Sequence, residues 1–258
     1  MVRLQINGTE MSVRKGATVL EVCRDAGIDI PTLCYLKPLG PYGVCRLCIV
    51  EAEGPMFPRT VLSSCNLPVS EGLVIGTETP LIISLRKTMV ELLLASTPVT
   101  ESLRALAARL GVTAARFRIG KTDPCVLCGI CVRLCRNAIG PGALSFAGSD
   151  SNAQVVAGSV LLDPEACVGC GTCANLCPVG AIELADDGDE RRMMLYGHVA
   201  NRLELAACEI CGARHTTGKF MQLIMSRLSE EQKRGFANLC PECSRRVFAS
   251  SLTGEAVD

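Results

Sequence analysis

Two short β-prone runs, VRLQI and TEMSV, flank Asn7-Gly8 at the start of the chain. That pair tolerates the positive φ of a tight turn, so the pattern predicts a two-stranded hairpin. Thr18 to Ala26 then reads as a short helix closed by Gly27, and CIVEAEG as a further strand. ELLLAS is helical, and Pro98 to Gly120, rich in Ala, Leu and Arg, predicts one amphipathic helix bridging its flanks. Towards the other end, Phe220, Leu223, Ile224 and Leu228 recur at helical spacing. Asp186–Arg192, within ADDGDERR, reads as a charged linker. The longest apolar stretches, Val155–Leu162 and Met89–Ala95, are broken by Gly, Ser or Glu well short of the roughly 20 residues a membrane span needs. MVRLQINGTE carries no apolar signal core, so the expectation is a soluble, cytoplasmic protein without a membrane span.

Composition changes the picture in one respect. Lys+Arg 26 balance Asp+Glu 26, there is no basic run, and nine aromatics are too few to stack bases, which argues against a nucleic-acid partner. Cysteine is the anomaly, at 17 of 258 residues. The odd count and missing secretory signal disfavour a disulfide framework, and in a reducing compartment clustered thiols are metal ligands.

Spacing sorts the cysteines into four groups of four. Cys34, Cys45, Cys48 and Cys65 form C-x10-C-x2-C-x16-C. Cys125, Cys128, Cys131 and Cys135 form C-x2-C-x2-C-x3-C, and Cys167, Cys170, Cys173 and Cys177 repeat it 42 residues later. Cys208, Cys211, Cys240 and Cys243 are two C-x2-C pairs. Cys23 stands alone in VLEVCRDAG and reads as a buried structural thiol. The tandem runs are the strongest signal. Zinc sites rarely pack four cysteines into eleven residues twice, whereas three thiolates so spaced curl around one face of a cubane. In two-cluster ferredoxins the fourth cysteine of each run ligates the other cluster. On that rule Cys125, Cys128, Cys131 and Cys177 hold one [4Fe–4S] cluster, and Cys167, Cys170, Cys173 and Cys135 the second. Arg136 stands where the first run would carry proline.

Strand, strand, helix and a cysteine loop rich in Gly and Pro resemble the opening of a ubiquitin-like ferredoxin, with Cys34, Cys45, Cys48 and Cys65 suited to a [2Fe–2S] centre. Zinc is the alternative there. The match widens through IPTLCYLKPLGPYGVCRLCIVE, ELLLAS, LAARLGVTAARF, CVLCGICVRLCRNAIGPGALSFAG and CVGCGTCANLCPVGAI. Residues 1 to about 185 resemble the N-terminal region of iron-only hydrogenases, the large iron–sulfur subunit of complex I and the small diaphorase subunit of NAD-reducing hydrogenases. The resemblance implies an electron wire with its [2Fe–2S] domain towards the flavin.

Two departures stand out. The relatives usually carry a His-plus-three-Cys cluster where this chain reads STPVTESLRA, and the only histidines are His198 and His215. No hydrogenase catalytic domain follows, and neither a GxGxxG fingerprint nor a P-loop is present. The C-terminal CEICGARHTTGKFMQLIMSRL and LCPEC suit a tetrahedral four-thiolate site for structural zinc, with a single iron or another cluster as alternatives and His215 outside it. Arg46, Arg133 and Arg136 read as solvated charges and Met193-Met194 as packing.

The expected architecture is therefore α+β: a β-grasp [2Fe–2S] ferredoxin domain over 1–80, a helical linker over 81–120, a two-[4Fe–4S] ferredoxin-like domain over 121–185 and a small zinc-ribbon-like four-cysteine module over 186–258. The expected function is an electron-transfer subunit with no catalytic site of its own. It would relay electrons between a flavin/NAD(P) subunit and a catalytic hydrogenase or formate dehydrogenase-type subunit. The alternative is a cluster-based redox sensor or scaffold.

Overall fold

The computed structural model describes residues 1–117, 124–148, 159–234 and 237–253. These fall into two compact units, Met1–Arg133 with Pro178–Gly180, and Leu134–Cys177 with Ala181–Asp258. The division runs inside the 121–185 segment.

In the first unit the hairpin forms as expected, with β1 (Val2–Ile6) and β2 (Thr9–Val13) antiparallel and Asn7 and Gly8 at φ 51° and 82°. Helix α1 (Val19–Asp25) follows. Thr18 and Glu21 close its first turn as a reciprocal capping box, and Gly27, at φ 75°, ends it. Strands β3 (Ile49–Gly54), β4 (Phe57–Ser63) and β5 (Leu73–Gly76) complete a five-stranded sheet in the order β2-β1-β5-β3-β4, with β1 and β5 parallel. Leu4, Ile6, Val50, Ala52, Leu73 and Ile75 point from its inner face into a core shared with Val19 and Leu20 of α1. Cys23 is fully buried there, and burial pushes its thiol up to about 11.

Helix α2 (Pro80–Ser96) is capped by Thr79, whose hydroxyl accepts from the Ile82 N–H, and α3 (Glu101–Arg109) is capped by Thr100. Val90 and Ala107 from these helices pack with Leu47 and Cys45 of the cysteine loop. The single helix expected over Pro98–Gly120 is instead α3 alone, 9 residues long. Gly111, in the left-handed region at φ 65°, turns the chain out of the helix, and residues 118–120 lie outside the described residues. The unit's last helical turn is α4 (Ile130–Arg133).

The second unit begins with a wide π-type helical stretch over Leu134–Ile139, against which α5 (Thr172–Asn175) packs. Strands β6 (Leu144–Phe146) and β7 (Val160–Leu162) pair antiparallel. A four-stranded antiparallel sheet follows, ordered β11-β10-β9-β8, from β8 (Ile182–Asp187), β9 (Glu190–Leu195), β10 (His198–Ala207) and β11 (Arg214–Thr217). This corrects the reading of Asp186–Arg192 as a linker. Asp186 lies opposite Arg191 and Ala185 opposite Arg192 in a hairpin turning at Gly188, so the charges pair across strands rather than repel into solvent. Met193 is buried in this sheet. Helices α6 (Gly218–Arg227), α7 (Glu230–Arg234) and α8 (Pro241–Thr253) complete the unit. The amphipathic segment around Phe220 is α6, with Leu228 as its C-cap. Among the described residues no helix is long and apolar enough to cross a membrane.

Candidate functional site: four thiol clusters

The loop between α1 and β3 carries three of the first four cysteines, and Cys65 arrives just after β4. Gly40, Gly43 and Arg46 all have positive φ, which curls this loop on itself. A Cβ at Gly43 would collide with the Asn66 side-chain amide. Cys34, Cys48 and Cys65 are buried at 1%, 1% and 0% exposure, and Cys34 Sγ lies 3.4 Å from Cys45 Sγ. The Cys45 thiol and the N–H groups of Cys45, Val44 and Gly43 stabilise a Cys34 thiolate and pull it down to about 5. Cys48 is drawn to about 6, chiefly by the Cys65 thiol. Within each pair one thiol, Cys34 or Cys48, is favoured as the anion that ligates iron, while donating to that anion, together with burial, pushes Cys45 and Cys65 up.

Behind this loop lies Arg86, which the sequence reading missed. It sits on the buried stripe Ile82–Arg86–Val90 of α2 and donates through Nε to Leu47 O at 3.1 Å and through Nη2 to Ile49 O at 2.7 Å.

Cys125, Cys128 and Cys131 follow in the same unit, with Leu127 and Gly129 at φ 53° and 73° bending the chain between them. The Leu127 N–H donates to Cys125 Sγ at 3.4 Å. Cys128 and Ile130 share one apolar cluster with Cys34, joined by Leu36, Leu39, Cys45 and Val126, so the first two thiol loops pack directly on each other. Arg133 seals that contact. Its Nη2 donates to the carbonyls of Gly40 at 3.0 Å and Pro41 at 3.4 Å, and its guanidinium stacks 4.7 Å from the Tyr42 ring centre. The expectation of a solvated Arg133 is therefore corrected: its guanidinium supplies donors to the carbonyls of this Gly-Pro loop. Arg46 and Arg136 are both exposed, and Arg46 donates to Ser63 Oγ at 3.3 Å.

In the second unit, Cys135 is brought to Cys167, Cys170 and Cys173. The four line one small hollow with Leu144, Leu162 and Met193. Burial pushes the Cys173 thiol up to about 12 and also raises Cys167, with neighbouring cysteines including Cys135 adding to both. Thr172 Oγ1 donates to Cys170 Sγ at 3.4 Å. Cys177 accepts from the Ala181 N–H at 3.2 Å. It belongs to the second unit and Cys125, Cys128 and Cys131 to the first, so that expected set spans the two.

The C-terminal sheet braces the second hollow. Arg191 is held by Asp186 through two contacts of 2.7 Å and reaches Gly169 O at 3.0 Å and His215 O at 3.2 Å. The Thr217 hydroxyl donates to Val168 O and accepts from the Phe220 N–H, capping α6. Beyond this brace, the sulfurs of Cys208, Cys211, Cys240 and Cys243 lie within 4.8 Å of one another, with Cys211 and Cys240 at 3.7 Å. The first pair sits on a knuckle in which Gly212 N bonds Cys208 O at 2.9 Å. The N–H groups of Cys211, Cys240 and Ile210 pull Cys208 down to about 6. His215 contributes no ligand atom to this group.

Thiol-lined loops of this order define an iron–sulfur protein. Residues 1–80 match the 2Fe-2S iron-sulfur cluster binding domain and residues 124–181 the 4Fe-4S dicluster domain. The chain is 31% identical over 206 residues to the NADPH-Fe(3+) oxidoreductase alpha chain of Geobacter sulfurreducens (strain DL-1 / KN400), covering 70% of this chain and 24% of the relative. It is 31% identical over 213 residues to the NADP-reducing hydrogenase subunit HndD of Solidesulfovibrio fructosivorans, covering 70% and 36%. Among solved structures, a chain of the NAD⁺-reducing [NiFe]-hydrogenase in the H2-reduced state is similar, with 32% identity and a TM-score of 0.51, covering 58% of this chain and 71% of that one. The chain belongs to the family of iron–sulfur electron-transfer subunits found in such NAD(P)-linked oxidoreductases and hydrogenases. It spans between a quarter and about a third of the length of these curated relatives.

Proposed function

We propose that this chain relays electrons through one [2Fe–2S] and two [4Fe–4S] clusters between a flavin/NAD(P)-binding subunit and a catalytic subunit of the hydrogenase or formate dehydrogenase type, in the cytoplasm. Thiolate-ligated clusters supply one-electron chemistry across a wide range of potentials. The protein's part is to hold the thiols, exclude water and set the spacing. In this reading Cys34, Cys45, Cys48 and Cys65 hold the [2Fe–2S] cluster. Cys125, Cys128, Cys131 and Cys177 hold one [4Fe–4S] cluster, and Cys167, Cys170, Cys173 and Cys135 the other. The four segments 1–80, 81–120, 121–185 and 186–258 serve as cluster domain, linker, two-cluster domain and metal module.

The observation that carries this reading is the hollow in which Cys135, from the first run, meets three cysteines of the second. A pair of independent four-cysteine zinc sites would have kept each run to itself. The apolar contact between Cys34 and Cys128 supports direct relay from the first loop to the second, with no His-ligated cluster between them.

For the C-terminal four, a Zn–S distance of about 2.3 Å in a tetrahedron puts sulfurs roughly 3.8 Å apart. The Cys211–Cys240 separation of 3.7 Å fits. We assign this site to structural zinc, holding the knuckle against the start of α8.

Iron, sulfide and zinc analysis of anaerobically purified protein, with EPR after dithionite reduction, tests the reading. About ten iron, ten sulfide and one zinc per chain are expected. Zinc in several sites with little sulfide would refute it.

A further inference from the structure

Arg86 is the feature that electron relay leaves unexplained. Its position on α2, four residues from both Ile82 and Val90, is one that an apolar residue would fill. It is only 4% exposed. Its guanidinium clasps the carbonyls of Leu47 and Ile49, which straddle Cys48. Among the described residues none of the ion pairs includes Arg86. Burial disfavours its charge, Glu78, Cys48 and Asp29 favour it, and Arg109 opposes them. Two carbonyl dipoles are a poor match for a full buried charge, because burial without a counter-charge is costly.

The missing counter-charge has an obvious place. Two ferric ions, two sulfides and four thiolates leave two net negative charges, and reduction adds one electron, turning one ferric ion ferrous without making or breaking a bond. We propose that Arg86 is the buried counter-ion of the [2Fe–2S] site, a positioning residue that raises its reduction potential by favouring the more negative, reduced form. The inference rests on the reading of Cys34, Cys45, Cys48 and Cys65 as cluster ligands. Arg86 also ties the linker helix to the cluster loop, so this charge reports on how α2 is seated.

The test is an anaerobic redox titration of the full chain with dithionite, following the [2Fe–2S] signal by EPR, for wild type, Arg86→Met, Arg86→Gln and Arg86→Lys. In both neutral variants the ratio of reduced to oxidised [2Fe–2S] at a fixed potential is expected to fall about tenfold, or 59 mV for one electron. Arg86→Lys is expected to stay within about threefold of wild type, and the [4Fe–4S] midpoints to stay in place. Gln keeps a donor for the carbonyls, so it decides the matter if Met perturbs packing. A neutral variant that assembles the cluster at the wild-type potential overturns the proposal. So does loss of the signal in both neutral variants, because the charge would then serve assembly rather than potential. A wild-type protein without any [2Fe–2S] signal would instead defeat the assignment of the ligands.

Discussion

Gly169→Ala tests whether the C-terminal sheet physically braces the second thiol loop. Gly169 lies between Cys167 and Cys170 at φ 66°, a conformation that costs a residue with a Cβ about 1–2 kcal/mol. The added methyl would sit 2.8 Å from Thr217 Cγ2 and 3.0 Å from Leu203 Cδ1. Thr217 is fully buried and cannot swing away, because its hydroxyl is committed to Val168 O and to the first turn of α6. Overpacking at such a site adds about 1–3 kcal/mol. The expected total is about 2–5 kcal/mol. Gly197→Ala is the control: φ is 79° in the β9–β10 turn and nothing lies within 4 Å, so only the backbone cost applies. Denaturant unfolding of the anaerobic full chain, read by circular dichroism and compared at equal slope, gives the difference. If the two variants agree within about 0.5 kcal/mol, the contact between tail sheet and cluster loop carries no weight and the brace is wrong.

Two further outcomes follow. Cys135→Ser should abolish the EPR signal of the cluster assigned to Cys167, Cys170 and Cys173 while sparing the other, and Cys177→Ser should do the reverse; the opposite pattern would exchange the pairing. Cys23 ionises more readily when unfolded, near pH 8.5, than when buried at about 11. Its contribution is therefore full below pH 8.5 and falls by up to about 1.4 kcal/mol per pH unit above it. Unfolding free energies measured from about pH 7.5 to 9.5 should decline less steeply in Cys23→Ala than in wild type.

The local chemistry of the first unit is legible in its residues. Asn7-Gly8 can hardly do anything but turn, and Thr18 with Glu21 is a self-contained capping box. The cysteine spacings are equally local, since three ligands within seven residues need no tertiary context. What escapes is whatever depends on a distant partner. ADDGDERR looks like a solvated run until Asp186 is set opposite Arg191, which then turns inward to Gly169. Arg86 and Arg133 look like surface cations until carbonyls 37 and more residues away are brought to them. The linker helix stops early because Gly111 takes a left-handed turn that helical periodicity does not register.

The bond from Thr217 to Val168 joins residues 49 apart in the chain. During synthesis the loop bearing Cys167, Cys170 and Cys173 therefore leaves the ribosome well before the strand that clamps it. At about 5–20 residues per second, that interval lasts roughly 2–10 seconds. For those seconds the cysteine loop sits on the nascent chain without its clamp, and the arrival of β11 ends that interval.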